Sequence, residues 1–325
     1  METLSAQGEK NAAAGLGTFA GVFTPSILTI LGIILFLRLG YVVGSSGLVR
    51  ALEIILLANL ISVLTTFSVS AIATNFKVKG GGDYFLISRT LGFGYGGAIG
   101  IVLFLAQAVS IGFYCVGFGE AVAALIPGGG HVLAQFVAAV AVVMLFVLAW
   151  LGADLATRFQ YVVMTMMAVA MLSFVAGGLE HWQGEMLWQN LGTPEHVAPF
   201  WLVFAIFFPA VTGFTQGVSM SGDLRDPGSS IPLGTFLAVG LSIVIYVGAA
   251  VLFAAGAPLS VLAEDYGAMR GISLAGWLID VGVIAATLSS ALASFLGAPR
   301  ILQSLASDRI FPFLRPFAHG VGPTL

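Results

Sequence analysis

The sequence predicts an all-α polytopic membrane protein with about eight transmembrane helices, the first and sixth of them broken, and three observations carry that expectation. Hydrophobic residues make up 58% of the 325-residue chain and charged residues 8%, with a mean hydropathy of +1.03. A soluble domain carries roughly a quarter charged residues, so the solvent for most of this surface must be lipid. Apolar runs long enough to cross a bilayer, about 20 residues each, recur along the whole chain. Two of those runs carry proline and glycine near their middles.

The runs fall at residues 18–44, 48–73, 94–126, 132–152, 159–177, 199–220, 231–256 and 272–303. Residues 1–17 precede them as a polar tail rich in small residues, lacking the basic start and short apolar core of a cleavable signal peptide. The expected plan is therefore a tail (1–17), a transmembrane core (18–303) and a closing cytoplasmic segment (304–325). An even number of spans puts both termini on one side. With the N-terminus inside, Lys10, Lys77, Lys79, Arg89, Arg158, Arg225, Arg300, Arg309 and Arg315 face the cytoplasm, and only Arg50 and Arg270 fall in outer loops. That bias favours a cell-membrane protein with a cytoplasmic N-terminus. The 178–198 loop, with Glu180, Glu185, Glu195, Trp182 and Trp188 but no Lys or Arg, suits the outer interface.

A formal charge of −3 argues against a nucleic-acid partner. Cys115 has no mate, and His131, His181, His196 and His319 lack ligand spacing. No cofactor or resident metal is expected. Without a nucleophile–base pair, phosphate loop or carboxylate dyad, an enzyme is the least favoured class.

The interruptions point to function. The first span reads TPSILTILGIILFLRLG, with Pro25 and Gly32; the sixth reads FFPAVTGFTQGVSMSGD, with Pro209, Gly213 and Gly217. Proline removes a backbone donor and glycine permits non-helical dihedrals, so each can end a helix inside the bilayer. Exposed backbone at that depth is tolerated where it lines a cavity or is buried in protein. Paired breaks at equivalent places in two halves mark the binding site of an inverted-repeat secondary transporter. Simple packing kinks are the structural alternative.

Four blocks sharpen this reading: GVFTPSILTILGIILFLRLGYVVGSSGL, SAIATNFKVKGGGDYFLISRTLGFGYGGAIG, FAIFFPAVTGFTQGVSMSGDLRDPGSSIPLGT and ATLSSALASFLGAPRILQSLASDRIFP. In order and content they resemble the first span, the segment joining spans 2 and 3, the sixth span and the eighth span of the cation-chloride cotransporters, within the amino acid-polyamine-organocation superfamily. The resemblance implies a five-plus-five inverted-repeat fold and symport of chloride with sodium, potassium or both by alternating access. For chloride it implies the backbone N–H groups of Gly32, Ile33 and Ile34 and of Gly213, Phe214 and Thr215. Helix starts expose such donors together with the positive end of a dipole. For potassium it implies Thr29, Ile30, Tyr84, Pro209 and Thr212, with Thr29 departing from the family's usual asparagine. Neutral oxygens suffice for that ion. For sodium it implies the carbonyls of Leu28, Leu31 and Ala286 and the hydroxyls of Ser289 and Ser290. Residues 286, 289 and 290 share one helix face; the structural alternative is that the serines bond back to their own helix.

Other charges have structural readings. Asp280 is expected at a solvated helix end, Arg38 and Glu120 as gate residues or interface anchors, and Asp226-Pro227 as a helix-ending turn. The resemblance also implies at least two further core spans and a homodimer, so the chain is expected to be a fragment of a longer product. Two alternatives stand beside the symporter: an amino-acid permease of the same superfamily, against which the bulky LTILGIILF break argues, and a non-transporting membrane subunit.

Overall fold

In the computed structural model the described residues are 15–75, 81–151, 153–194 and 196–318. Most of the polar tail, the last seven residues, Lys10, Lys77, Lys79, Glu195 and His319 lie outside them. Among the described residues, eight helical segments have the length and composition to cross a membrane: Phe19–Leu37, Leu48–Asn75, Phe93–Ala124, His131–Trp150, Leu155–Glu180, Phe200–Asp223, Pro227–Gly256 and Gly276–Ser307. They are named spans 1 to 8. The eight-span, all-helical architecture expected from the apolar runs is what forms, since in lipid each backbone donor must find its acceptor within its own segment.

Span 8 is the hub. It packs most extensively against spans 3 and 5 and also meets the first half of span 1. Its most apolar stretch is 78% buried, against 11% for span 3. Small residues make this possible: Ala285, Ala286, Ser289, Ser290, Ala291, Ala293 and Ser294 are all buried along it, and small interface residues let membrane helices approach closely.

Span 1 is built in pieces. A π-helical turn at Phe19–Phe23 runs directly into Thr24–Ile30, with Pro25 just after the change of pitch. The helix stops at Leu31 and Gly32, restarts as Ile33–Leu37, and kinks again at Arg38 before Leu39–Ser46. The second kink has no glycine or proline to announce it. Span 6 is helical over Phe200–Phe207 and then tightens into 3₁₀ pieces, Phe208–Val211 and Gly213–Thr215, before a short turn at Gln216–Ser219.

The two broken spans are tied reciprocally at their ends. Before span 1, the Leu16 N–H donates to the Asp223 carbonyl (2.8 Å) and the Arg225 N–H donates to Leu16 (2.9 Å). Before span 6, the Ala198 N–H donates to the carbonyl of Ser45, at the end of span 1 (3.1 Å). Each span's start is thus joined to the other's finish, the relation an inverted repeat requires.

Three features differ from expectation. The lead-in to span 3 is a separate helix, Gly82–Leu91, turned off at Gly92 (φ 93°). Asp226-Pro227 starts span 7 rather than ending a helix: Pro227 takes the first helical position, where its missing N–H is harmless. The 178–198 loop contains a short helix, Gly184–Asn190. Asn190 caps the last turn of span 7, donating to the carbonyls of Ala254 (2.8 Å) and Ala257 (2.9 Å).

Candidate functional site

The two breaks meet. A Cβ placed on Gly213 would lie 2.8 Å from both the Ile30 nitrogen and the Thr29 carbonyl carbon, so only glycine lets span 6 pass this close to the end of the first half of span 1. Ser26 fastens the contact, donating to the Phe214 carbonyl (2.9 Å) and accepting from the Gly217 N–H (3.2 Å). From span 2, Ser62 donates to the Val211 carbonyl (2.9 Å). Polar side chains therefore satisfy part of the backbone that unwinding frees, as burial in a membrane demands.

A cavity of about 410 Å³ opens beside the break of span 1. It is lined by Thr29, Ile30, Gly32, Ile33, Ile34 and Pro209, by Phe113 and Tyr114 of span 3, and by Leu37 and Arg38 toward one end. Arg38 lies over the Tyr266 ring at 4.1 Å, a cation–π contact. Asp280 pairs with Arg270 at 3.4 Å near the start of span 8, and Glu120 is exposed.

The residues proposed for chloride stand at two restarts. Gly32 is extended (φ −80°, ψ −161°) and caps Ile33–Leu37, placing Ile33 and Ile34 where helical N–H groups have no intrahelical acceptor. Gly213, Phe214 and Thr215 form the 3₁₀ piece of span 6.

Of the residues proposed for sodium, Ser290 is brought to the break of span 1. Ser289 and Ser290 are buried, and their hydroxyls make no hydrogen bond of good geometry among the described residues. By contrast, neighbouring Thr287 bonds back to Val283 (3.0 Å), the habit expected of a hydroxyl in a helix. A Cβ on Gly32 would lie 3.6 Å from Ser290 Oγ, so this hydroxyl faces the break. Leu28 and Leu31 direct their side chains into an apolar crevice between spans 1, 5 and 7, leaving their carbonyls at the fraying end of the half-helix.

The residues proposed for potassium divide. Thr29 lines the cavity but donates to the Pro25 carbonyl (2.8 Å). The Ile30 carbonyl accepts from buried Tyr246 of span 7 (2.7 Å). Thr212 donates to the Pro209 carbonyl (2.9 Å). Tyr84 is not with them: it lies on the Gly82–Leu91 helix and donates to Asp308, beyond span 8 (2.7 Å). Burial, then this carboxylate, raises its phenol above the usual range. The tyrosine at the cavity is Tyr114, whose hydroxyl lies beside Ser290. The GGG turn drew attention to Tyr84; only the packing of span 3 against span 8 reveals Tyr114.

The opposite end of the bundle is closed by side chains that the sequence offered at most as cytoplasmic or structural charges. Gln216 donates to the Ala293 carbonyl (2.6 Å), and Gln107 donates to Gln216 (3.3 Å). Arg300 pairs with Asp223 and donates to the Ser219 carbonyl. Arg89 pairs with Asp308 at 2.8 Å, which raises its guanidinium's affinity for the proton.

Two facing helix breaks, with the Ser290 hydroxyl behind them and a cavity beside the first, define a membrane protein of the broken-helix class. The chain belongs to the amino acid permease family, whose model matches residues 21–321. It is 36% identical over 323 residues to solute carrier family 12 member 8 of Mus musculus, covering 94% of this chain and 45% of that protein. It is 34% identical to member 2 of Homo sapiens (97% and 30%) and 34% identical to member 1 of Mus musculus (94% and 33%). These relatives bear out the family resemblance read from the sequence. The chain spans less than half the length of each.

Proposed function

We propose that the chain forms the binding core of a secondary symporter that couples chloride to sodium and potassium, or to one of them, by alternating access. The observation that carries this reading is the pair of buried hydroxyls, Ser289 and Ser290, neither with a hydrogen bond of good geometry among the described residues, the second facing the break of span 1. A buried hydroxyl without a partner costs roughly 1–3 kcal/mol, and a small cation held by two hydroxyls and the carbonyls of Leu28, Leu31 and Ala286 removes that cost. Chloride is assigned to the donors of Gly32, Ile33 and Ile34 and of Gly213, Phe214 and Thr215. Potassium is assigned to the cavity between Thr29, Ile30, Pro209, Thr212 and Tyr114, the last replacing Tyr84. A cation and an anion a few ångströms apart in a low-dielectric cavity raise each other's affinity, and the coupling is reciprocal.

The reading extends to a cell-membrane protein with its N-terminus and the Arg300 end of the bundle in the cytoplasm, acting as a homodimer. Flux into proteoliposomes, with each ion replaced in turn, tests it. Chloride uptake should fall when sodium is replaced, and uptake indifferent to both cations removes the coupled reading. Transport of an amino acid instead would establish the permease alternative, against which Ile30, Ile33, Ile34 and Phe113 already narrow the cavity. Absence of any flux beside a partner-dependent effect would indicate the non-transporting subunit.

A further inference from the structure

The half-helix Thr24–Ile30 meets the cavity beside the break through Thr29 and a second hollow, on another face, through Ile27 and Leu28. That second hollow is the crevice between spans 1, 5 and 7, and it measures about 720 Å³. Every side chain that lines it is apolar, so water finds no hydrogen-bond partner there and an apolar cavity stays dry. Its floor is buried: Ile27, Leu28, Met167 and Ala249 are each less than 5% exposed. Its mouth is open, since Leu172 is 67% and Val244 68% exposed. Gly248 keeps it wide, because a Cβ there would meet nothing within 4 Å.

Depth decides what lies outside the mouth. The lining covers residues 164–175 of span 5 and 241–252 of span 7, from about the middle of each span onward. A bilayer's hydrocarbon core is about 30 Å thick, so the crevice opens sideways into lipid tails. Left empty, it would forfeit dispersion contacts along its whole lining. Lipid tails are as apolar as that lining, so packing is what favours filling it. Met164, Met167 and Met171 form the span 5 wall, and unbranched thioethers adapt to an occupant without a fixed shape.

We propose that this crevice is a binding site for one acyl chain of a membrane lipid, lodged against the first half of span 1. The chain packs on Ile27, Leu28 and Leu31, where spans 5 and 7 leave the half-helix without a protein neighbour. It thereby supports the segment that ends at the break. It differs from lipid that merely surrounds the bundle, because it reaches side chains that surrounding lipid does not touch. The inference stands whichever solute the protein carries.

The test uses the intact protein in nanodiscs made with a phospholipid whose acyl chain carries a diazirine, photolysed and mapped by peptide mass spectrometry. In the wild type, labels should appear on Ile27, Leu28 or Leu31 and on Met167, and also on Val102 and Val109, which are exposed on span 3. Gly248→Leu places a side chain in the open space and should lose the span 1 labels while keeping those of span 3. Ala168→Phe fills the same crevice from span 5 and should do likewise, so a folding defect in one variant does not decide the result. Span 3 labels without span 1 labels in the wild type overturn the proposal. Span 1 labels that persist undiminished in both filled variants overturn it too, since the chain then arrives by another route. A Val244→Cys variant that joins two chains by a disulfide, with span 1 unlabelled, gives the crevice to a second copy instead.

Discussion

Ser289 and Ser290 stand out at the scale of single residues because they break a rule that their neighbours obey. Thr29, Thr287 and Thr235 all return their hydroxyls to their own helix, whereas these two are buried without a hydrogen bond of good geometry, Ser290 facing the break of span 1 beside the Tyr114 hydroxyl. Removing an orphaned hydroxyl removes its desolvation cost. Ser290→Ala is accordingly expected to keep or raise the melting temperature in sodium-free buffer while abolishing the rise that sodium produces in the wild type. A loss of stability without sodium would mean that the hydroxyl is a structural bond and no ion ligand. Gly213 makes the opposite case. Its Cβ would meet the Ile30 nitrogen and Thr29 at 2.8 Å, both backbone and unable to yield, so Gly213→Ala should destabilise by about 1–3 kcal/mol, read as a lower melting temperature at fixed ion concentration. Gly213 and the serines were legible in the sequence because a glycine in an apolar run and two hydroxyls at helical spacing are rare and chemically pointed. Tyr114 was not: one tyrosine among the aromatics of a lipid-facing span shows nothing of the neighbour it meets.

Among the elements, the spans were legible since lipid dictates their length and composition, and proline and glycine marked both breaks. What stayed hidden was how far each break runs. Span 6 stays in 3₁₀ geometry or short turns from Phe208 to Asp223, a state held by Ser26 and Ser62, whose partners lie far away in the chain. The Gly82–Leu91 helix was equally hidden, as its polar residues Tyr84 and Arg89 find their partner in Asp308, just beyond span 8. Tyr84→Phe removes one bond to the Asp308 carboxylate, worth about 1.5–3 kcal/mol, and should speed amide exchange across Gly82–Leu91 with potassium affinity unchanged. Weaker potassium binding with unaltered exchange would restore Tyr84 to the site. Asp83 gives this contact a pH dependence whose sign is fixed. Its folded carboxyl binds a proton more tightly than the unfolded one, so its contribution destabilises the fold progressively as pH rises from about 4 to about 7. Asp83→Asn should therefore flatten that part of the melting-temperature profile, and a wild-type profile that rises with pH over the same window, unchanged by the substitution, would contradict the burial of this acid.

For the whole molecule, the asymmetry between the two ends matters most. Toward one end, Leu37, Arg38 and Phe113 line the cavity beside Gly32. The other is shut by the Gln107–Gln216–Ala293 chain, the Arg300–Asp223 pair and the Arg89–Asp308–Tyr84 brace. A carrier that works by alternating access must exchange these arrangements, and a ligand shifts the balance only as far as it prefers one of them. The sole cysteine, Cys115, is buried, so a Cys115→Ala background reports cleanly on introduced thiols. In that background, Leu37→Cys should react quickly with a membrane-impermeant thiol reagent and Ser219→Cys slowly, since Ser219 is only 4% exposed. Breaking the closed end with Arg300→Gln leaves Asp223 unpaired and should raise the Ser219→Cys rate while lowering that of Leu37→Cys, because opening one end closes the other. If both rates rise together, the two ends are uncoupled and the breaks of spans 1 and 6 serve a channel-like path. Opposed changes of similar size would show that the facing breaks act as one hinge.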